Sequence, residues 1–181
     1  MNLFARRTKR SSSRGQAMAE FALVLPIALL IIFGIIQFGF LFGSQIGMVN
    51  AMRETVRYAS TSPVNDSTTA NDNADSICDY LLDANGALDK MPGYESAFAG
   101  PATVAYESYT DPHGGTPTYS VRLTVYAEYR HILLVPLVNV ILDGLDGSSD
   151  GRFRLSATEA MRVENPLLTT NPSLTYQETC S

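Results

Sequence analysis

The sequence has little of what catalysis and metal binding draw on. It holds two histidines and two cysteines in 181 residues. His113 falls in a turn-like segment and His131 just before an apolar stretch. Neither has a cysteine or acid at the spacing of a zinc site. No G-x-S-x-G, Walker A or G-x-G-x-x-G run occurs. Asp146, Ser148, Asp150 and Gly151 match the opening positions of a calcium loop, but Ala157 stands where the bidentate glutamate belongs. A solvated turn is the expectation there. No metal, cofactor or catalytic residue is expected.

Charge is missing in two places. No acid precedes Glu20, and no charged residue occurs in the 32 positions from Phe21 to Met52. The first 14 positions carry five bases: Arg6, Arg7, Lys9, Arg10 and Arg14. After Gly15, eight basic residues face 18 acidic ones, a net of -10 inside a whole-chain net of -5. This segregation excludes a plain cytosolic globule and a nucleic-acid binder with a basic working face. Phe21 to Phe42 is 22 residues with one strongly polar member, Gln37. As a helix it would run ~33 Å, enough for a ~30 Å hydrocarbon core, and it exceeds the ~7–15 residues of a secretory h-region. With the bases on its N-terminal side, the expected topology is a single pass with the N-terminus in the cytoplasm and the C-terminal part exported.

The flanks of this run say more. Arg14-Gly15-Gln16-Ala17-Met18-Ala19-Glu20-Phe21 places a lone carboxylate at the fifth position after a glycine that closes the basic leader. A carboxylate at the lip of a membrane helix is costly if it faces lipid unpaired. A cut after Gly15 would put a new α-amino group on Gln16, and Glu20 could pair with that amine on a neighbouring subunit. The plainer alternative is a glutamate at headgroup level near the positive end of the helix dipole.

Arg14-Gly15 followed by Glu20-Phe21 resembles the prepilin peptidase motif of type IV pilins. "RGQAMAEFALVLPIALLIIFGIIQFGFLF" and "NAMRETVRYAS" are similar to TadE-like pseudopilins of tight-adherence pilus systems, and "RFRLSATEAMRVE" at 152–164 is a weaker match. The resemblance implies that Gly15 precedes the cut and Gln16 is the mature N-terminus. It makes Glu20 the fifth-position glutamate and Pro26 the family's proline, and Arg53, Glu54 and Arg57 part of the signature. It implies as partners the inner membrane, a prepilin peptidase, other pilins or pseudopilins and a pilus assembly platform. Many pilins begin the mature chain with Phe or Met; Gln16 departs from that.

Gly39, Gly43 and Gly47 form two overlapping G-x-x-x-G motifs, either a close-packing face for a second helix or three incidental glycines. The helix is expected to continue to Ser60, with Ile46, Val49, Arg53, Val56 and Tyr58 at broadly helical spacing. Glu54 and Arg57 are i, i+3 neighbours, on either a solvated stalk face or an intersubunit contact.

Beyond it, 61–75 reads as a loop and 73–84 as a short amphipathic helix stopped by Asn85-Gly86. Residues 102–110 and 118–130 read as a β-hairpin around the turn at 111–117, and 152–163 as a third strand. Ile132–Leu142, broken by Pro136, is too short to span a bilayer and either packs on the sheet or lies along the membrane. Cys78 and Cys180 both fall on the exported side, where disulfides persist. A bridge between them would tie the polar tail to the domain; the alternative is free or intermolecular thiols.

The expected architecture is α+β. A long N-terminal transmembrane helix extends into a stalk, followed by a small antiparallel sheet domain with one short helix. The segments are a leader (1–15), the anchor and stalk helix (16–60), an exported domain (61–164) and a polar tail (165–181). The expected function is that of a pseudopilin or minor pilin. The competing readings are an uncleaved, signal-anchored binding domain and an exported hydrolase.

Overall fold

Helix α1, Ser13–Ser60, is continuous across Pro26 for 48 residues, about 72 Å at ~1.5 Å per residue. The computed structural model describes residues 13–64, 66–111, 118–147, 150–164 and 173–180. Most of the basic leader, the hairpin turn at 112–117, Ser148 of the calcium-like loop and most of the polar tail lie outside the described residues. The two halves of α1 differ. In the first, large apolar side chains such as Phe21, Leu23, Ile27 and Ile35 are exposed. In the second, Gln37, Leu41, Ser44, Met48, Met52, Val56 and Ala59 are buried. Those positions recur at three- and four-residue spacing, so one stripe of the helix faces the domain. The stripe differs from the one read in the sequence, since Ile46 and Tyr58 are exposed. The second half of α1 is therefore part of the domain core.

The sheet has four antiparallel strands in the order β3-β2-β1-β4. They are β1 (Ala99–Asp111), β2 (Thr118–Ile132), β3 (Arg152–Arg162) and β4 (Thr175–Cys180). The register pairs Val104 with Val125, Ala127 with Ala157, and Tyr106 with Tyr176. Side chains alternate between faces along a strand. Ala102, Val104 and Tyr106 of β1, Leu123, Val125, Ala127 and Tyr129 of β2, and Leu155 and Ala157 of β3 are buried on one face. There α1 lies over β2 and β3, and α2 over β1 and β4. The opposite face carries exposed Glu107, Arg122 and Arg130.

Three elements depart from the sequence expectation. Helix α2, Ser67–Leu82, starts inside the segment read as a loop. Asp66 caps it: its carboxylate accepts from the Thr69 amide at 2.9 Å, and Thr69 Oγ1 accepts from the Asp66 amide at 3.0 Å. Ala70, Ala74, Ile77 and Leu81 then bury one stripe. Pro136 does not break the apolar stretch after β2. It opens helix α3, Pro136–Asp146, which ends at Gly147 in the left-handed conformation (φ 77°). The sequence reading counted three strands. The fourth, β4, comes from the polar tail and holds its place by pairing with β1.

Candidate functional site

Gly15 and Gln16 lie in the first turns of α1, fully on the surface. The Gln16 Nε2 amide donates to Glu20 Oε1 at 3.1 Å, so the two positions that the sequence singles out for cleavage and assembly meet across one helical turn. Glu20 is exposed, and its carboxylate is open to a partner from another chain.

The three glycines do not share one environment. A Cβ at Gly39 or Gly43 would meet nothing within 4 Å. A Cβ at Gly47 would come within 2.8 Å of Pro92 Cδ and 2.9 Å of Met91 Cγ. Gly47 therefore lets the chain's own 91–92 segment pack against α1, leaving Gly39 and Gly43 as the open pair.

Two of the charged residues past the apolar run, Arg53 and Glu54, are exposed yet bond to their own chain. Arg53 Nε donates to Glu159 Oε1 of β3 at 3.1 Å. Glu54 Oε1 accepts from the Tyr80 hydroxyl at 2.7 Å and from Lys90 Nζ at 3.1 Å. The Tyr58 and Tyr80 rings stack at 4.5 Å. The Tyr80 hydrogen bond, and then Lys90, hold the Glu54 carboxyl below its ordinary range, while the same bond raises Tyr80. Glu54 thus braces α1 to α2 and to the segment after α2, rather than pairing with Arg57. Arg57 is exposed, with no ion pair to another described residue.

Two buried polar groups, to which the sequence reading gave no role, fix the domain to α1. Gln37 is 1% exposed. Its Oε1 accepts from the Leu134 amide at 2.8 Å, and its Nε2 donates to the Ile132 carbonyl at 3.5 Å. One heptad on, the Ser44 hydroxyl donates to the Pro92 carbonyl at 2.9 Å. That uses its single proton, so His131 Nδ1, 3.2 Å away, donates to the Ser44 oxygen. Burial pushes the His131 pKa down from its ordinary value. The signal in the sequence is the seven-residue spacing of Gln37 and Ser44 within the charge-free stretch Phe21–Met52. At the far side of the core, Cys78 of α2 and Cys180 of β4 form a disulfide with Cα atoms 5.2 Å apart.

Among the described residues, no group of three or more His, Cys, Asp or Glu side chains could hold a metal ion. The structure defines a class: one N-terminal helix long and apolar enough to cross a membrane, carrying a one-sided antiparallel sheet on its second half. The sequence model of the family described as TadE-like protein matches residues 15–57, which is α1 from Gly15 to Arg57. The chain thus carries a TadE-like segment, and the resemblance read from the sequence holds over that helix; the sheet domain lies outside the match. No curated protein and no solved structure gives a significant match.

Proposed function

We propose that the protein is a pseudopilin or minor pilin of a tight-adherence type IV pilus system, processed after Gly15 and assembled through α1. One observation carries this reading. The TadE-like match begins at Gly15 and follows a helix whose first half presents large apolar side chains with no cover from the rest of the chain. Lipid covers such a surface before assembly, and neighbouring helices cover it afterwards. The chain enters the inner membrane with its basic leader in the cytoplasm, and the sheet domain is exported. A prepilin peptidase removes the leader, exposing an α-amine on Gln16. Glu20 of one subunit pairs with that amine on the next and sets the axial register. Gly39 and Gly43 permit close helix packing. The partners are other pilins or pseudopilins and the assembly platform; no catalytic role is proposed. Glu20→Ala tests the register role: membrane insertion should persist while pilus assembly falls, and normal piliation in that variant removes the role from Glu20.

A further inference from the structure

We propose that Leu134 and the outer face of α3 lie in the membrane leaflet on the domain's side, so that the domain rests on the bilayer instead of standing clear of it. This rests on reading α1 as the membrane anchor. If the span starts at Phe21, a ~30 Å core takes about 20 residues and ends near Phe40. Gln37 then lies within one turn of the hydrocarbon boundary. Its bonds to the Ile132 carbonyl and the Leu134 amide hold the β2–α3 connection at that depth.

Two of the connection's amides are taken up by protein, while α3 opens at Val135 with no side-chain cap, which places its first turn at the headgroup boundary. Non-helical backbone at membrane depth needs its polar groups satisfied by protein. The Leu133 amide donates to the Gly151 carbonyl at 3.1 Å, the Leu134 amide donates to Gln37, and Pro136 has no amide hydrogen. The side chains agree. Val138 and Leu142 of α3 turn to the core, while Leu134 (67%), Val140 (77%), Ile141 (59%) and Leu145 (75%) remain exposed. Exposed aliphatic side chains concentrated on one short segment mark an interaction surface. This segment adjoins a helix already destined for lipid. Between α1 and β3, closed by Leu142 of α3, runs a groove of about 410 Å³ whose apolar lining is Phe38, Leu41, Phe42, Leu142, Phe153 and Leu155, with Gln45, Arg154 and Ser156 as its polar members. Its mostly apolar lining suits an acyl chain, the Arg154 guanidinium suits the lipid's phosphate, and the groove is continuous with the spanning helix. The occupant is therefore the lipid of the same bilayer.

The protein contains no tryptophan, so a single introduced one reports its own surroundings. Four variants of the full chain, Ile27→Trp, Val140→Trp, Leu145→Trp and Thr175→Trp, are reconstituted in phosphatidylcholine vesicles with and without brominated acyl chains. The expected result is blue-shifted emission and at least about twofold bromine quenching at 27, 140 and 145, with Thr175→Trp water-like and unquenched. Quenching at 27 with water-like emission at 140 and 145 overturns the proposal and leaves the anchor intact. No quenching at 27 removes the anchor and the proposal together. Blue-shifted emission at 140 and 145 without quenching, lost on dilution of protein in lipid, assigns the face to a second copy of the chain and also overturns it.

Discussion

Gln37 and Leu134 are joined by a 2.8 Å hydrogen bond across 97 residues of sequence. The amide oxygen of the one strongly polar side chain in the apolar run takes up a backbone donor where the sheet turns into α3. Gln37→Leu leaves that buried donor without its partner, at a cost of about 1–3 kcal/mol. Thermal or denaturant unfolding of the detergent-solubilised protein should show that loss, with α1 still inserted. An unchanged transition would mean that water or another group replaces the amide.

The Cys78–Cys180 disulfide closes a separation of 102 residues. In the chain-entropy model a loop of that size contributes about 4–5 kcal/mol, an upper figure. Reduction, or Cys78→Ser with Cys180→Ser, should lower stability by up to that amount. It should also speed hydrogen exchange first in β4, which is then held by its pairing with β1 and the Tyr176–Asn71 hydrogen bond to α2. Equal stability with and without reductant would contradict this.

His131 gives the fold an acid sensitivity. Its folded pKa lies below its ordinary 6.5 because burial disfavours the charged ring. Well above pH 6.5 the ring is neutral in both states and contributes no slope. As pH falls below that value, the unfolded chain takes up a proton that the folded chain refuses. Stability then drops by up to ~1.4 kcal/mol per pH unit until the folded ring titrates. Unfolding free energies between pH 5 and 8 should show the drop, and His131→Gln should flatten it. An identical profile in the variant would exclude His131 as its source.

The glycines separate fold from assembly. Gly47→Ala places a methyl group against Pro92 and Met91, and overpacking of this kind costs about 1–3 kcal/mol. Gly43→Ala meets nothing in its own chain and improves helix propensity by up to ~1 kcal/mol. Gly43→Ala should therefore leave the monomer as stable or more so, yet weaken helix association in a membrane two-hybrid or crosslinking assay. Unimpaired association would remove Gly43 from the interface.

What the sequence discloses depends on whether a pattern is local. The charge-free run marks α1 because the 18 aliphatic and aromatic residues of Phe21–Phe42 outweigh Pro26 and Gly34, and the strict alternation of Val121, Leu123, Val125 and Ala127 marks β2. Helix α2 is masked because Ser, Thr, Asn and Asp favour turns as readily as caps. Its core stripe rests largely on two alanines. Pro136 signals a break or a helix start with equal force. Strand β4 buries only Cys180 among its six residues, so no hydrophobic pattern announces it; backbone pairing and the disulfide place it. The inward use of Gln37, Glu54 and Gly47 depends on partners at 132–134, 80 and 90, and 91–92, which only the tertiary fold brings close. The contact of Gln16 with Glu20, by contrast, follows from spacing alone, because the two lie one turn apart on a single helix.

The mass of the mature N-terminus tests the central claim most directly. Membrane-extracted protein from cells with and without their prepilin peptidase is compared by intact and peptide mass spectrometry. The account predicts a chain beginning at Gln16 when the peptidase is present and an uncut Gly15–Gln16 bond when it is absent. A leader retained in both strains, or lost in both, would contradict it.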